Sequence, residues 1–208
     1  MIRASAHPAL PTMKYRHFAL PLLASLTLLT ACSKEETSAP SAPTAAVTTP
    51  IEAAQALDVL AAQGKGFAAG KILSANAVYV LFDPQCPHCS RLWEASMPLH
   101  TSVKFVWLPV AIMNAKSAPQ GAAIMTATNP VQAMAAHETS LLAGSGGTAA
   151  SADIAPDVLA AIKTNTALLE RLGATSVPYI VARHQRSNQV VMQAGANDTQ
   201  SLATFLGL

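Results

Sequence analysis

Charge is scarce in this chain. Asp, Glu, Lys and Arg make up 12% of its 208 residues, and that scarcity limits what it can bind. A pI near 8.5 hints at a polyanion partner, yet Arg3, Lys14 and Arg16 fall within the first 32 residues, where there is no acid. Without them acids and bases nearly balance, so no basic patch argues for nucleic acid. Cysteine is equally sparse, with only Cys32, Cys86 and Cys89. No second Cys-x-x-Cys exists, and His100, His137 and His184 stand alone, isolated and expected to be solvated, so a four-ligand zinc site is two ligands short. The methionines are scattered, with no cluster suggesting copper. The apolar run Phe18 to Thr30, about 13 residues, is too short for a membrane span of ~20. Apolar residues still reach 51%, inflated by alanine, enough for one domain with a proper core.

What is present centres on Tyr79-Val80-Leu81-Phe82-Asp83-Pro84-Gln85-Cys86-Pro87-His88-Cys89, an apolar strand-like run that ends in a turn and delivers two cysteines. Pro87 suits the first position of a helix, which makes Cys86 its N-cap and places Cys89 one turn inside. The Cys86 sulfur then faces unpaired backbone N–H groups and the positive end of the helix dipole, both of which favour a thiolate. Cys86 is therefore the expected attacking thiol, and Cys89 the thiol that resolves a mixed disulfide. His88 adds a nearby imidazolium that would depress the Cys86 pKa further. A helix after the motif is expected from Cys89, Leu92, Trp93, Ser96 and Met97 on one face, with Arg91 and Glu94 opposite and Pro98 at its end. Trp93 reads as core, and Asp83 as a turn residue ahead of Pro84 rather than a proton relay to Cys89.

The odd cysteine has its own explanation. Lys14, Tyr15, Arg16 and His17 form a positive segment, Phe18 to Thr30 an apolar one, and Leu29-Thr30-Ala31-Cys32 follows. This run resembles the bacterial lipobox, in which the cysteine is lipidated and becomes the new N-terminus. Residues 1–31 are thus expected to be a signal peptide, with translation starting at Met13, and Cys32 a lipid anchor. More than one acyl chain would hold the protein firmly at a membrane. The expected location is the bacterial periplasm, an oxidising space, tethered to the inner leaflet of the outer membrane. Residues 32–50, rich in Ser, Thr, Ala and Pro, read as a tether reaching up to roughly 50 Å.

From residue 51 a domain begins. Thr49-Pro50-Ile51-Glu52 fits a capping box for a short amphipathic helix running to Gln63, with Gly64 as its stop. Lys65 to Asn76 reads as glycine-rich turn. Ala77 to Phe82 and Val103 to Val110 are the expected strands of a β-α-β unit. Ser117 to Thr128, Pro130 to Leu142 and Ala155 to Leu172 are helical patterns separated by turn signals, a helical insertion over about residues 112–173. Thr175 to Val181 and Gln189 to Gln193 return to strand, and Asp198 to Leu206 is a closing helix capped by Asn197 or Asp198.

That order, with Phe82 to Cys89, Trp93, Leu108-Pro109-Val110, Ala122-Ala123-Ile124 and Leu172-Gly173-Ala174, resembles the catalytic domain of the DsbC/DsbG family of thiol:disulfide interchange proteins, its DsbG branch in particular. The resemblance covers about residues 51–208. It implies an α/β fold, the thioredoxin fold with an inserted helical subdomain, here preceded by a lipoprotein signal peptide and a flexible tether. It also implies that Pro178 is cis and lies beside Cys86, exposing the Val177 backbone for β-type pairing with a substrate strand. Exported cysteine-containing proteins would be the substrates and a membrane protein the redox partner. No cofactor beyond a redox-active Cys86–Cys89 disulfide, and no metal, is expected.

Two departures bear on direction. The family carries a separate N-terminal dimerisation domain, and this chain has only signal, tether and one helix in its place, so a monomer is expected. Val177 stands where the family tends to have threonine, and Cys-Pro-His-Cys with valine there resembles the oxidase DsbA. The expected function is disulfide interchange as a reductase or isomerase. The alternatives are a disulfide-forming oxidase and, from another class, a metal-binding or metal-delivery lipoprotein using Cys86, His88 and Cys89.

Overall fold

The computed structural model describes residues 49–195 and 198–208. The expected signal peptide, Cys32 and the tether up to residue 48 lie outside the described residues, as does Asn197. In chain order a 3-10 turn (Ala53–Gln55) leads into α1 (Ala56–Gln63), followed by β1 (Phe67–Gly70), β2 (Ala77–Phe82), α2 (Pro87–Ser96), a second 3-10 turn (Met97–Thr101) and β3 (Lys104–Pro109). Then come α3 (Ser117–Thr126), α4 (Pro130–Leu142) and α5 (Pro156–Arg171), and after them β4 (Tyr179–Arg183), β5 (Val190–Ala194) and α6 (Thr199–Leu206).

The five strands form one sheet in the order β1-β3-β2-β4-β5. β2 and β3 are parallel, Ala77 opposite Lys104 through Phe82 opposite Pro109, with α2 as their crossover. β1, β4 and β5 each join antiparallel. The two parallel strands are continuous runs of β-branched, leucine and aromatic residues because their inner ends are covered on both faces. Phe82, Phe105 and Trp107 are fully buried. The Trp107 ring meets Phe82 edge-on at 5.6 Å and Trp93 at 5.1 Å, geometry that adds about 0.5–1.5 kcal/mol per pair beyond burial. Trp93, at 2% exposure, is core.

Two local expectations are corrected. The stretch read as turn contains β1, whose Phe67 pairs with Trp107. It is admitted only because Gly66 precedes it, since a Cβ there would stand 2.0 Å from the Trp107 carbonyl oxygen. The expected capping box is also not formed: Glu52 is extended and makes no side-chain cap bond. The segment is instead held to α5, with Ile51 N–H donating to Arg171 O at 2.8 Å and Arg171 Nε to Thr49 O at 3.0 Å.

The last of the three helices between β3 and β4 is sewn to the sheet by a buried amide. Asn165 of α5 donates to Pro109 O at 2.9 Å and Lys65 O at 2.7 Å, and accepts from Lys65 N–H at 3.0 Å. Buried amides are tolerated when satisfied in this way. The last helix is capped by Asp198, whose Oδ1 accepts from Ser201 N–H at 2.7 Å.

Candidate active site

The β2–α2 turn is built by Asp83, which is fully buried. Its Oδ1 accepts from Gln85 N–H at 2.9 Å, and its Oδ2 from Ile112 and Met113 N–H at 2.8 and 2.9 Å. One carboxylate thus fixes the turn and ties it to the segment after β3. Cys86 follows as the N-cap of α2 at φ −98°, ψ 111°, with Pro87 at the helix start, and its carbonyl accepts from Cys89 N–H at 2.9 Å. Pro has no N–H to lose at that position and its φ is already helical.

Cys86 and Cys89 stand as free thiols, at 4% and 0% exposure. The Cys86 thiol points at the Val177 carbonyl oxygen, 3.5 Å away, and the Val177–Pro178 peptide is cis, the isomer the family resemblance implies. Cys86, Pro87, His88, Cys89, Val177 and Pro178 are therefore brought to one place. Pro87 and His88 are exposed, Val177 and Pro178 buried.

The two sulfurs are driven apart electrostatically. The Cys86 pKa is lowered to about 6, first by the Cys89 thiol donating to it, against the opposing effect of burial, then by the backbone N–H groups of Cys89 and His88, and last by the His88 charge. Burial first, then the same bond and the neighbouring sulfur, hold Cys89 well above the ordinary thiol range. The largest source of Cys86 acidity is thus its partner thiol, which was not expected, while the expected backbone N–H groups and His88 charge contribute less. Arg91 Nη1 lies 3.2 Å from His88 Nδ1.

The other side of the site is contributed by α4, and here expectation is corrected. His137 is buried rather than solvated. Its Nε2 lies 2.7 Å from Pro84 O and its Nδ1 accepts from Thr148 N–H at 3.2 Å, which fixes the Nε2–H tautomer. Burial holds its pKa below the usual imidazole value. His100 is half-buried between Trp93 and Phe105, and His184 accepts from Ser187 N–H at 3.1 Å. Beside His137, Glu138 is 1% exposed and its Oε2 accepts from Ser90 Oγ. Burial, partly offset by Ser90, raises its pKa to about 8. The signal was available: Met134, His137, Glu138 and Leu141 follow the i, i+3, i+4, i+7 spacing of a helix face, and two polar residues on an apolar stripe mark a buried polar site. Among the described residues no three of His, Cys, Asp and Glu come together as metal ligands.

No protein-family model matches the chain. It is similar to the thiol:disulfide interchange protein DsbG of Pseudomonas aeruginosa, 29% identical over 148 residues, covering 70% of this chain and 56% of that protein. DsbG of Escherichia coli is 26% identical over 140 residues, 66% of this chain and 55% of that one. The chain thus spans about half the length of the curated relatives it matches. Among solved structures, the catalytic domain of Proteus mirabilis ScsC superposes with TM-score 0.57 at 18% identity, covering 73% of this chain and 95% of that domain. The thiol-disulfide exchange protein α-DsbA2 of Wolbachia pipientis does so with 0.55 at 14%, over 74% and 94%. These structures share the thioredoxin fold with the chain, whose sequence is similar to DsbG.

Proposed function

We propose that this DsbG-like thioredoxin-fold chain is a thiol:disulfide oxidoreductase that exchanges disulfides with exported proteins. One observation carries the reading: a sulfur at a helix N-cap with its pKa lowered to about 6, one turn from a buried thiol held high. The ionised Cys86 attacks a substrate disulfide sulfur, one substrate sulfur leaves as thiolate, and Cys86 is left in a mixed disulfide. Cys89 then attacks the Cys86 sulfur, closing the Cys86–Cys89 disulfide and releasing the second substrate thiolate. Two electrons pass from the dithiol to the substrate, and no other cofactor is needed. Val177 and Pro178 hold the substrate backbone next to Cys86, His88 tunes the thiolate, and Pro87 starts the helix.

Cys32 as a lipid anchor and residues 1–31 as a signal peptide place this chemistry at the periplasmic face of a membrane, with a monomeric enzyme and a membrane redox partner. No helix among the described residues is long and apolar enough to cross a membrane. A second reading, disulfide formation, is favoured by the same acidic Cys86, because a stabilised thiolate favours the reduced form and makes the disulfide a stronger oxidant. Refolding of scrambled ribonuclease separates the two. Recovery without added oxidant means isomerisation, and recovery of reduced ribonuclease by the oxidised chain means oxidation. A Cys89→Ala chain is expected to accumulate mixed disulfides with its substrates. Failure to capture any, together with no effect on either ribonuclease, removes the enzymatic reading.

A further inference from the structure

Disulfide exchange at this site leaves one proton without a destination. Cys89 is fully buried, and its thiol is held well above the ordinary range by burial and by Cys86, so it does not ionise unaided when it attacks. On α4, which packs against α2, the carboxyl of Glu138 is near enough to raise the Cys89 pKa. Its Oε2 is engaged by Ser90, the residue that follows Cys89, whereas its Oε1 is buried with no hydrogen-bond partner among the described residues. An unsatisfied buried polar atom is costly, and an ionised one more so.

The surroundings of this carboxyl carry one sign. From α2 it feels Cys86 and Glu94, and from the turn before α2 Asp83, all of which raise its pKa; Glu138 in turn raises that of Cys89. The basic side chains of α2, His88 and Arg91, are exposed, with Arg91 Nη1 3.2 Å from His88 Nδ1. α3 and β1, which also pack against α4, contain no titratable residue.

We propose that Glu138 is the proton store of the dithiol, taking the Cys89 proton as the disulfide closes and returning it as the disulfide opens. This rests on the reading of Cys86 and Cys89 as the exchanging pair. In the closing step the Cys89 S–H bond and the bond between Cys86 and the substrate sulfur break, and the Cys86–Cys89 bond and a Glu138 O–H bond form. The substrate leaves as thiolate and is protonated by solvent. In the reverse direction a substrate thiolate attacks Cys86, Cys89 leaves, and Glu138 hands it the proton. The timing follows from charge. While Cys86 is a thiolate, its repulsion helps hold the proton on Glu138. Once Cys86 is bonded to substrate that charge is gone, burial remains, and the carboxyl gives up its proton more readily before Cys89 attacks.

The test uses dithiobis-nitrobenzoate, which releases one coloured thiol when Cys86 attacks it and a second when Cys89 resolves the adduct. Glu138→Gln is expected to leave the first release unchanged and to slow the second by about tenfold or more near neutral pH, with its pH inflection lost. Glu138→Asp is expected to restore part of the rate and the inflection. In Cys89→Ala, which keeps Glu138, infrared difference spectra between the free Cys86 form and its Cys86 adduct are expected to show a protonated carboxyl disappearing, a readout independent of whether the glutamine variant folds. A second release with wild-type rate and pH profile in Glu138→Gln, or no carboxyl change in the spectra, overturns the proposal and leaves the exchange reading standing. Absence of the first release in the wild-type chain overturns the exchange reading, and this proposal with it.

Discussion

The His137 ring donates from Nε2 to the Pro84 carbonyl at 2.7 Å, so a side chain of the helical insertion holds the turn that delivers Cys86. The other ring nitrogen accepts from Thr148 N–H, and Gln85, next to Cys86, donates through Nε2 to Gly146 O at 3.0 Å. The reactive turn is clamped from two sides by neutral polar groups.

Replacing His137 with Phe leaves Pro84 O and Thr148 N–H without their partner and is expected to cost about 1–3 kcal/mol at neutral pH, read from urea denaturation. Because burial lowers the His137 pKa from 6.5, the folded chain binds that proton less readily than the unfolded one. Wild-type stability therefore falls as pH drops below 6.5, a contribution His137→Phe lacks. The gap between the two is expected to narrow toward acid.

Alkylation of Cys86 by iodoacetamide is expected to follow a titration with its midpoint at about 6. In Cys89→Ala the midpoint is expected to rise, because the largest stabiliser of the thiolate is the Cys89 thiol. The sign for stability follows. A folded pKa lowered from 9.0 stabilises the dithiol form fully above pH 9, and that contribution is lost as pH falls through about 6. Thermal melts of the reduced chain across this range measure it.

Glu138 acts in the opposite sense. Its pKa is raised from 4.5 to about 8, so the folded chain holds a proton that the unfolded chain releases, and stability is lost as pH rises from 4.5 through about 8. Glu138→Gln removes this dependence. The melting temperature of the glutamine variant relative to wild type is expected to climb with pH and level off above pH 8.

Gly147 has φ +83°, and a Cβ there would stand 2.3 Å from His137 Cε1 and 2.9 Å from Gln120 Nε2. Gly147→Ala is expected to cost about 1–3 kcal/mol and to broaden the Cys86 alkylation profile by loosening the His137 clamp. Gly144→Ala serves as control: it shares a positive φ of 78° but meets nothing within 4 Å, and is expected to lose stability without altering Cys86.

Much of this arrangement was legible because local rules and tertiary packing agree. Continuous apolar runs mark β2 and β3 as buried parallel strands, and Pro87 and Pro130 mark where α2 and α4 begin. Disagreement arose where a long-range contact decides. Phe67-Ala68-Ala69-Gly70 has too little pattern to read as a strand, and becomes one because Trp107 lies beside it. Glu52 had the spacing of a cap, but Arg171, far along the chain, claims the backbone around it. The positions of Cys86 and Cys89 could be read from spacing alone. The source of Cys86 acidity could not, since it depends on which donor reaches the sulfur in three dimensions. His137 and Glu138 were present in the α4 pattern but carry meaning only once α4 is seen against α2.

The clamp on the Cys86 turn bears on engineering. Cutting out Cys-Pro-His-Cys and pasting it into a foreign scaffold would move the sulfur atoms while leaving behind the imidazole, amide and carboxyl that hold them from the far side. Portability therefore belongs to a larger cassette, residues 83–90 together with 117–148, and chimeras cut inside that boundary would inherit the motif without its temperament.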